Sequence, residues 1–173
     1  MAGKRFAARI LTAALFVAVV SPIAVSAQTD PKVQKAMAAL KAATAKLGAP
    51  KVDGMEVVSG KSASVLYFGT TKINNHFEIV DAVVKEHGGT ATLFAKTGDE
   101  YVRVSTNVPN PDGSGRATGT ILDPAGKAIL NINKSEAFYG EVPILGVPYI
   151  TGYEPITDAS GKVIGIYYVN YKK

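Results

Sequence analysis

The segment 146–169 reads GVPYITGYEPITDASGKVIGIYYV and dominates the C-terminal third of the chain. Strong β-formers lie on both sides of residues 158–161, whose Asp, Ser and Gly are typical of a tight turn. Two strands, 149–156 and 162–171, are therefore predicted to pair antiparallel across that turn. Because another β-rich stretch, 138–144, comes just before them, three neighbouring strands of one sheet are predicted here.

The rest of the chain alternates between helical and strand patterns. Asp30 is a favoured cap and Pro31 suits a first turn, so a helix is predicted over 32–47, ended by Gly48. Strands are predicted at 55–58, 65–68, 90–96, 101–106 and 118–122, and helices at 77–86 and from a cap at Asp123 to about residue 132. This order predicts an α+β domain of PAS-like shape, with a central antiparallel sheet, a long N-terminal helix and short helices on its faces.

The N-terminus has the pattern of a processing signal. Lys4, Arg5 and Arg9 precede an apolar stretch over 10–20, and Val25-Ser26-Ala27 fits a small-residue cleavage site. The apolar run is short for a membrane span, although an uncleaved anchor is the alternative. We expect residues 1–27 to be a signal peptide cleaved near Ala27, which predicts a periplasmic or secreted protein. The expected divisions are then an N-terminal helix region, 28–50, and a single domain, 51–173.

Composition excludes several functional classes. Removal of residues 1–27 leaves 146 residues and lowers the net charge from +5 to +2, and no basic stripe is interleaved with aromatics. Nucleic-acid binding is therefore not expected. The chain has no Cys, so thiol nucleophiles and thiolate metal sites are impossible. No nucleophile elbow, paired-acid arrangement or phosphate-binding loop is found, and the sequence predicts neither an enzyme nor a cofactor.

Several motifs occur in an order that resembles one known family. They are 74–81 (NNHFEIVD), 91–94 (ATLF), 101–107 (YVRVSTN), 119–123 (GTILD) and the closing hairpin. Together they are similar to the Cache 3/Cache 2 fusion family, over about residues 65–169. The resemblance implies a single Cache fold and extracytoplasmic small-molecule sensing, as in chemoreceptors, where it serves chemotaxis, and in sensor kinases. It also implies amino acids or small carboxylates as ligands.

The chain departs from the usual receptor layout of that family. A cleavable-looking signal stands in place of a first membrane helix, and the chain ends soon after the closing hairpin. We therefore expect an exported, soluble Cache-type binding protein that lacks its own transmembrane output. The alternative is a protein interaction module. In that case the Ala-rich helix 32–47 would form a homodimer or dock on a membrane receptor.

Arg103 is the first candidate ligand residue. It lies in a predicted strand between Val102 and Val104, so its side chain is expected on the opposite face from theirs. A guanidinium binds a carboxylate through two parallel hydrogen bonds. Ser105 is expected on the same face, where its hydroxyl could donate a third. The alternatives are a solvated Arg103, or one paired with an acidic residue, Glu78 or Glu154.

Aromatic residues supply the remaining candidates. Tyr149, Thr151 and Tyr153 are spaced by two and should share one strand face. Each tyrosine offers an apolar ring and a polar tip, which suits the wall of a small polar pocket. Tyr67 is a weaker candidate for the same wall. The alternative is that these side chains pack in the core or at a dimer surface.

Overall fold

A computed structural model describes residues 29–144 and 147–173, and the predicted signal peptide, 1–27, lies outside the described residues. Three helices and eight strands are described, a mixed α/β arrangement with antiparallel sheets. The helices are α1 (Pro31–Ala45), α2 (Glu78–His87) and α3 (Lys127–Ile132). The strands are β1 (Pro50–Val58), β2 (Lys61–Phe68), β3 (Thr71–Lys72), β4 (Thr90–Thr97), β5 (Glu100–Thr106), β6 (Phe138–Ile144), β7 (Val147–Thr157) and β8 (Val163–Lys172).

The strands form two sheets, whereas a single sheet was predicted. The larger sheet has the order β5-β4-β8-β7-β6, and β1, β2 and β3 form a separate sheet. Every strand pair is antiparallel. Short turns join the partners in each pair except β4 and β8, which are distant in sequence. The predicted strand 118–122 is an irregular segment bound to the edge of β5. The Arg103 amide donates to the Thr120 carbonyl, and the Arg103 carbonyl accepts from the Gly119 amide. That edge of the larger sheet is thus covered.

One face of the larger sheet carries α1 and α2. Asp30 caps α1, accepting a hydrogen bond from the Lys32 amide at 2.8 Å, and Pro31 opens the first turn. The α1 residues Val33, Met37 and Leu40 are fully buried against this face. They belong to what we call the helix-face core, whose sheet residues include Leu93, Val102, Val104, Tyr167 and Val169.

The opposite face carries α3 and a smaller core. We call it the α3-face core; it is formed by Phe94, Tyr101, Ala128, Ile129, Ile132, Tyr153, Val163, Ile166 and Tyr168. Because neighbouring strand residues point to opposite faces, Tyr167 enters the first core and Tyr168 the second.

The helix before β6 begins later than predicted. Asp123 was expected to cap it, but the N-cap of α3 is Gly126 and the helix has six residues. The Asp123 carboxylate instead accepts a hydrogen bond from the Ala125 amide at 2.9 Å. This local Asx turn uses the side chain that a cap would need, and the prediction was wrong for that reason. Within residues 29–144 and 147–173, no helix reaches the length and apolar character that a bilayer crossing requires.

Candidate functional site

Strand register brings Arg103 and two tyrosines to the α3 side of the larger sheet. Arg103 of β5 pairs with Phe94 of β4, and Tyr168 of β8 pairs with Tyr153 of β7. Directly opposed residues in antiparallel strands share a face. Phe94 also pairs with Ile166, two residues before Tyr168. The guanidinium and the two phenols are therefore neighbours on one face.

Arg103 is half-buried and only partly bonded. Its Nη1 donates to Thr120 Oγ1 at 2.8 Å, and the guanidinium carbon lies 5.1 Å from the centre of the Phe94 ring. Its Nε is buried and has no hydrogen-bond partner in the described part of the chain. Burial lowers the pKa of Arg103, and the nearby phenols of Tyr168 and Tyr153 partly offset that effect. The guanidinium thus retains a free donor in a weakly solvated place.

The acidic partners considered for Arg103 are engaged elsewhere. Glu78 lies beside His76, with 3.4 Å between the nearest atoms. Glu154 accepts hydrogen bonds from Lys41 and from Tyr139 on the α1 side of the sheet. A solvated Arg103 is also inconsistent with its buried Nε. The arrangement leaves Arg103 as a half-buried cation without a carboxylate partner among these candidates.

Tyr153 and Tyr168 pack closely beside it. Their ring centres are 4.6 Å apart, and they are 6% and 2% exposed. Burial raises the pKa of Tyr153 to about 12 and that of Tyr168 well above its usual value. A phenol is neutral at physiological pH even at its ordinary pKa, so both groups are able to donate a hydrogen bond, and burial extends that state to higher pH.

Ser105 does not lie on the face of Arg103, contrary to the sequence prediction. Leu93 pairs with Ser105 and Phe94 pairs with Arg103, so the register shifts by one residue at Val104. This β-bulge reverses the alternation of side chains beyond it. Ser105 consequently donates its hydroxyl to the His76 carbonyl, on the α2 side. It is a bond between β5 and the start of α2.

The other candidates are spread over the fold. Tyr149, Thr151 and Tyr153 share one face of β7, opposite Lys172, Asn170 and Tyr168. Thr151 is buried and donates to the Gly140 carbonyl at 2.9 Å. Tyr149 is half-buried, four residues from Tyr153 along the strand.

Tyr67 lies on β2, in the other sheet. The ammonium of Lys51 is 5.5 Å from its ring centre. The fold thus does not bring Tyr67 to the strands that carry Arg103.

Sequence reasoning missed Tyr168 and Asn170. Neighbouring strand residues such as Tyr167 and Tyr168 point to opposite faces, but the sequence does not say which face carries α3. The pairing of Tyr153 with Tyr168, and of Thr151 with Asn170, supplies that information. The period-two pattern of β8 indicates that Tyr168 and Asn170 share a face, but only the structure shows which residues of β7 lie opposite them.

Apolar side chains cover part of this face. Ile129 and Ile132 of α3 pack onto it, and Tyr101 donates to Asn133 at 3.1 Å just beyond the helix. The candidate tyrosines were expected to form the wall of a small polar pocket. The described residues instead hold α3 against the phenols.

Open grooves occur elsewhere on the described surface. One, of about 260 Å³, lies between the start of α1 and strands β6 and β7, beside Asp30, Tyr139 and Ile150. Another lies between Val52 of the small sheet and the β4–β5 turn. Neither is lined by a buried charged group that lacks a partner, so we favour the Arg103 face as the site. No cluster of metal-ligating side chains is found in residues 29–144 and 147–173.

Alkaline pH should destabilise this side of the sheet. Because the folded-state pKa of Tyr153 is raised from 10.0 to about 12, the stabilisation is complete below pH 10 and is lost as the pH rises through about 12. Two pKa units correspond to roughly 2–3 kcal/mol for this one phenol. Denaturant midpoints should therefore fall across that range, and fall less in Tyr153→Phe. Phenolate absorbance that titrates fully near pH 10 in a folded protein would contradict the assignment.

A protein-family model matches the chain. Residues 18–173 match the Cache 3/Cache 2 fusion domain. No curated protein matches the chain. Cache domains are extracytoplasmic sensor modules that bind small-molecule ligands. The match spans most of the sequence, including every helix and strand described above, and the chain therefore belongs to the Cache 3/Cache 2 fusion domain family.

Proposed function

We propose that this chain is an exported, non-enzymatic binding protein for a small carboxylate-bearing molecule, an organic acid or an amino acid. The observation that carries the proposal is the half-buried Arg103 guanidinium. Its Nε is buried without a hydrogen-bond partner among the described residues, and two neutral phenols lie beside it. The guanidinium only donates and each phenol is able to donate, which suits an anionic acceptor.

The physical chemistry favours a carboxylate over a neutral group. A buried charge that lacks a partner is costly, and a carboxylate offers two parallel acceptors for the guanidinium fork. Lys could supply the charge but not that geometry. Thr120 occupies one Nη1 donor of Arg103, which leaves Nε and Nη2 for the ligand.

Asp123 supports an amino acid as one form of this ligand. Its carboxylate is close enough to Tyr153 to raise the pKa of that phenol, although burial is the larger cause. An ammonium group placed between Asp123 and Tyr153 would have an anionic partner. Organic acids lack that group and would not use Asp123.

In this proposal the ligand lies between the sheet and the segment 123–139. Ile129 and Ile132 pack onto the same face, so α3 has to move away from the sheet to admit it. A helix of six residues, without a side-chain cap, is a small element to displace. The proposal therefore couples binding to a shift of α3.

A panel of amino acids and organic acids tests the proposal. Binding to the folded state alone raises apparent stability, so a ligand should raise the melting temperature in proportion to the logarithm of its concentration. We expect at least one acid to do so and its carboxamide to do so much less. A panel in which no acid shifts the transition, or in which acid and carboxamide act equally, would contradict the proposal.

The alternative, docking through α1, has weaker support. The apolar stripe of that helix packs on the chain's own sheet, and its exposed face offers mainly Ala38, Ala42 and lysines. A homodimer or a receptor complex would have to use that small-residue face. Sedimentation decides the first of these, because a monomer at all concentrations removes the homodimer.

Export is part of the proposal. Residues 1–27 are the proposed signal peptide, and 28–50 and 51–173 the proposed helix region and Cache domain of a periplasmic or secreted protein. The amino-terminal sequence of the exported protein should begin near Gln28. A protein that retains Met1 after export would instead carry an uncleaved anchor.

A further inference from the structure

The hydroxyl of Thr120 links the Arg103 guanidinium to a backbone carbonyl. Arg103 Nη1 donates to Thr120 Oγ1 at 2.8 Å, and that hydroxyl donates to the Ala117 carbonyl at 2.8 Å. The roles at both ends are fixed, because a guanidinium only donates and a carbonyl only accepts. The Thr120 proton is therefore directed at Ala117, and its oxygen faces Arg103 as an acceptor.

The backbone around Thr120 is held on two sides. The Arg103 amide donates to the Thr120 carbonyl at 2.8 Å, and the Gly119 amide donates to the Arg103 carbonyl at 2.9 Å. On its other side the segment lies against the end of β1, where a Cβ at Gly119 would be 2.4 Å from the Val58 carbonyl oxygen. These contacts keep the Thr120 hydroxyl beside the Arg103 side chain.

Phe94 restrains the same guanidinium in a different way. Its ring centre lies 5.1 Å from the guanidinium carbon, which favours a place over the ring but does not distinguish one nitrogen from another. The bond to Thr120 makes that distinction, because it engages Nη1. Nε and Nη2 remain, and their parallel N–H groups match the two oxygens of a carboxylate.

We propose that Thr120 is a positioning residue that holds Arg103 Nη1, so that Nε and Nη2 are presented together to the ligand carboxylate. The inference rests on the proposed function and adds the source of its preorganisation. Thr120 is exposed, so water would satisfy Nη1 equally well, and the contribution of the hydroxyl is the orientation of the guanidinium. A side chain that is ordered before binding removes part of the entropic cost of binding.

The probe is propionate, titrated calorimetrically into the exported protein. Thr120→Val has nearly the same shape but no hydroxyl, so the affinity should fall about fivefold. Thr120→Ser keeps the hydroxyl and should bind like wild type. Thr118→Val is the matched control, because Thr118 lies in the same segment but bonds to Ser59 Oγ at 2.6 Å, and its loss should leave the affinity unchanged.

A second readout needs no ligand. Rotation about the Nε–Cζ bond of an arginine exchanges Nη1 with Nη2, and the bond to Thr120 opposes that rotation. Separate Nη1 and Nη2 resonances of Arg103 are expected in wild type, Thr120→Ser and Thr118→Val, at a temperature where those of exposed arginines are averaged. They should merge in Thr120→Val.

Three results would overturn the inference: wild-type affinity in a folded Thr120→Val, equal losses in Thr120→Val and Thr118→Val, or a Thr120→Ser that binds no better than Thr120→Val. If wild type does not bind propionate, the affinity claim fails together with the proposed function. If wild type binds propionate but its Arg103 Nη resonances are averaged, the positioning role alone is overturned.

Discussion

Arg103→Ala is expected to lower the affinity for a carboxylate ligand by about a hundredfold. Hydrogen bonds to charged groups contribute roughly 1.5–3 kcal/mol each, and a bidentate pair makes two of them. Arg103→Lys keeps the charge but loses the fork, so a loss of about tenfold remains. Calorimetric titration of the acid that stabilises wild type most strongly, with all variants at the same pH and ionic strength, measures both changes.

Arg116→Ala is the matched control for this prediction. Arg116 is also half-buried and lies against an aromatic ring, but it binds the Asp81 carboxylate in bidentate fashion, at 2.6 and 2.9 Å. Its loss should lower stability and leave affinity close to wild type. Equal affinities in wild type and Arg103→Ala would show that the guanidinium does not bind the ligand, whatever else does.

Gly165→Ala should be the most damaging small substitution in the larger sheet. A Cβ at Gly165 would lie 2.3 Å from the Phe94 carbonyl oxygen and 3.2 Å from Ile156 Cδ1. The first neighbour is backbone of the paired strand β4, which cannot move without breaking the ladder. We expect a loss of about 3 kcal/mol or more. The denaturant midpoint at constant m reports it.

Gly161→Ala separates crowding from backbone strain. Gly161 has φ +83° and no atom near its absent Cβ, so only the left-handed conformation opposes a side chain there. That penalty is about 1–2 kcal/mol. If Gly165→Ala costs no more than Gly161→Ala, the strands are not as close as described. Because Phe94 also lies under Arg103, Gly165→Ala should weaken ligand binding as well as stability.

Local signals predicted most of the elements. Asp30 and Pro31 correctly marked the start of α1, and the turn after residue 157 correctly marked the β7–β8 hairpin. The alternation rule also placed Tyr149, Thr151 and Tyr153 on one face, as the pairing with β8 has it. These features depend on residues close together in sequence, so the sequence contains what is needed.

Long-range pairing explains what sequence reasoning missed. The bulge at Val104 depends on how β5 meets β4, and it moved Ser105 to the other face. The separation of β1 and β2 from the larger sheet moved Tyr67 away from Arg103. Asp123 has capping chemistry, but the turn to Ala125 uses it first. In each case, a contact between distant segments or a competing local bond overrode a sound propensity.

The Arg103 Nε–H resonance tests the central claim most directly. Its proton should be observable in nitrogen-15 spectra of the free protein, because the atom is buried. Titration with the acid that stabilises the protein should move this resonance downfield, saturating at the calorimetric dissociation constant. A resonance that stays unmoved at saturation, while those of Tyr139 and Ile150 in the groove beside α1 shift, would place the ligand on the opposite side of the sheet and contradict this account.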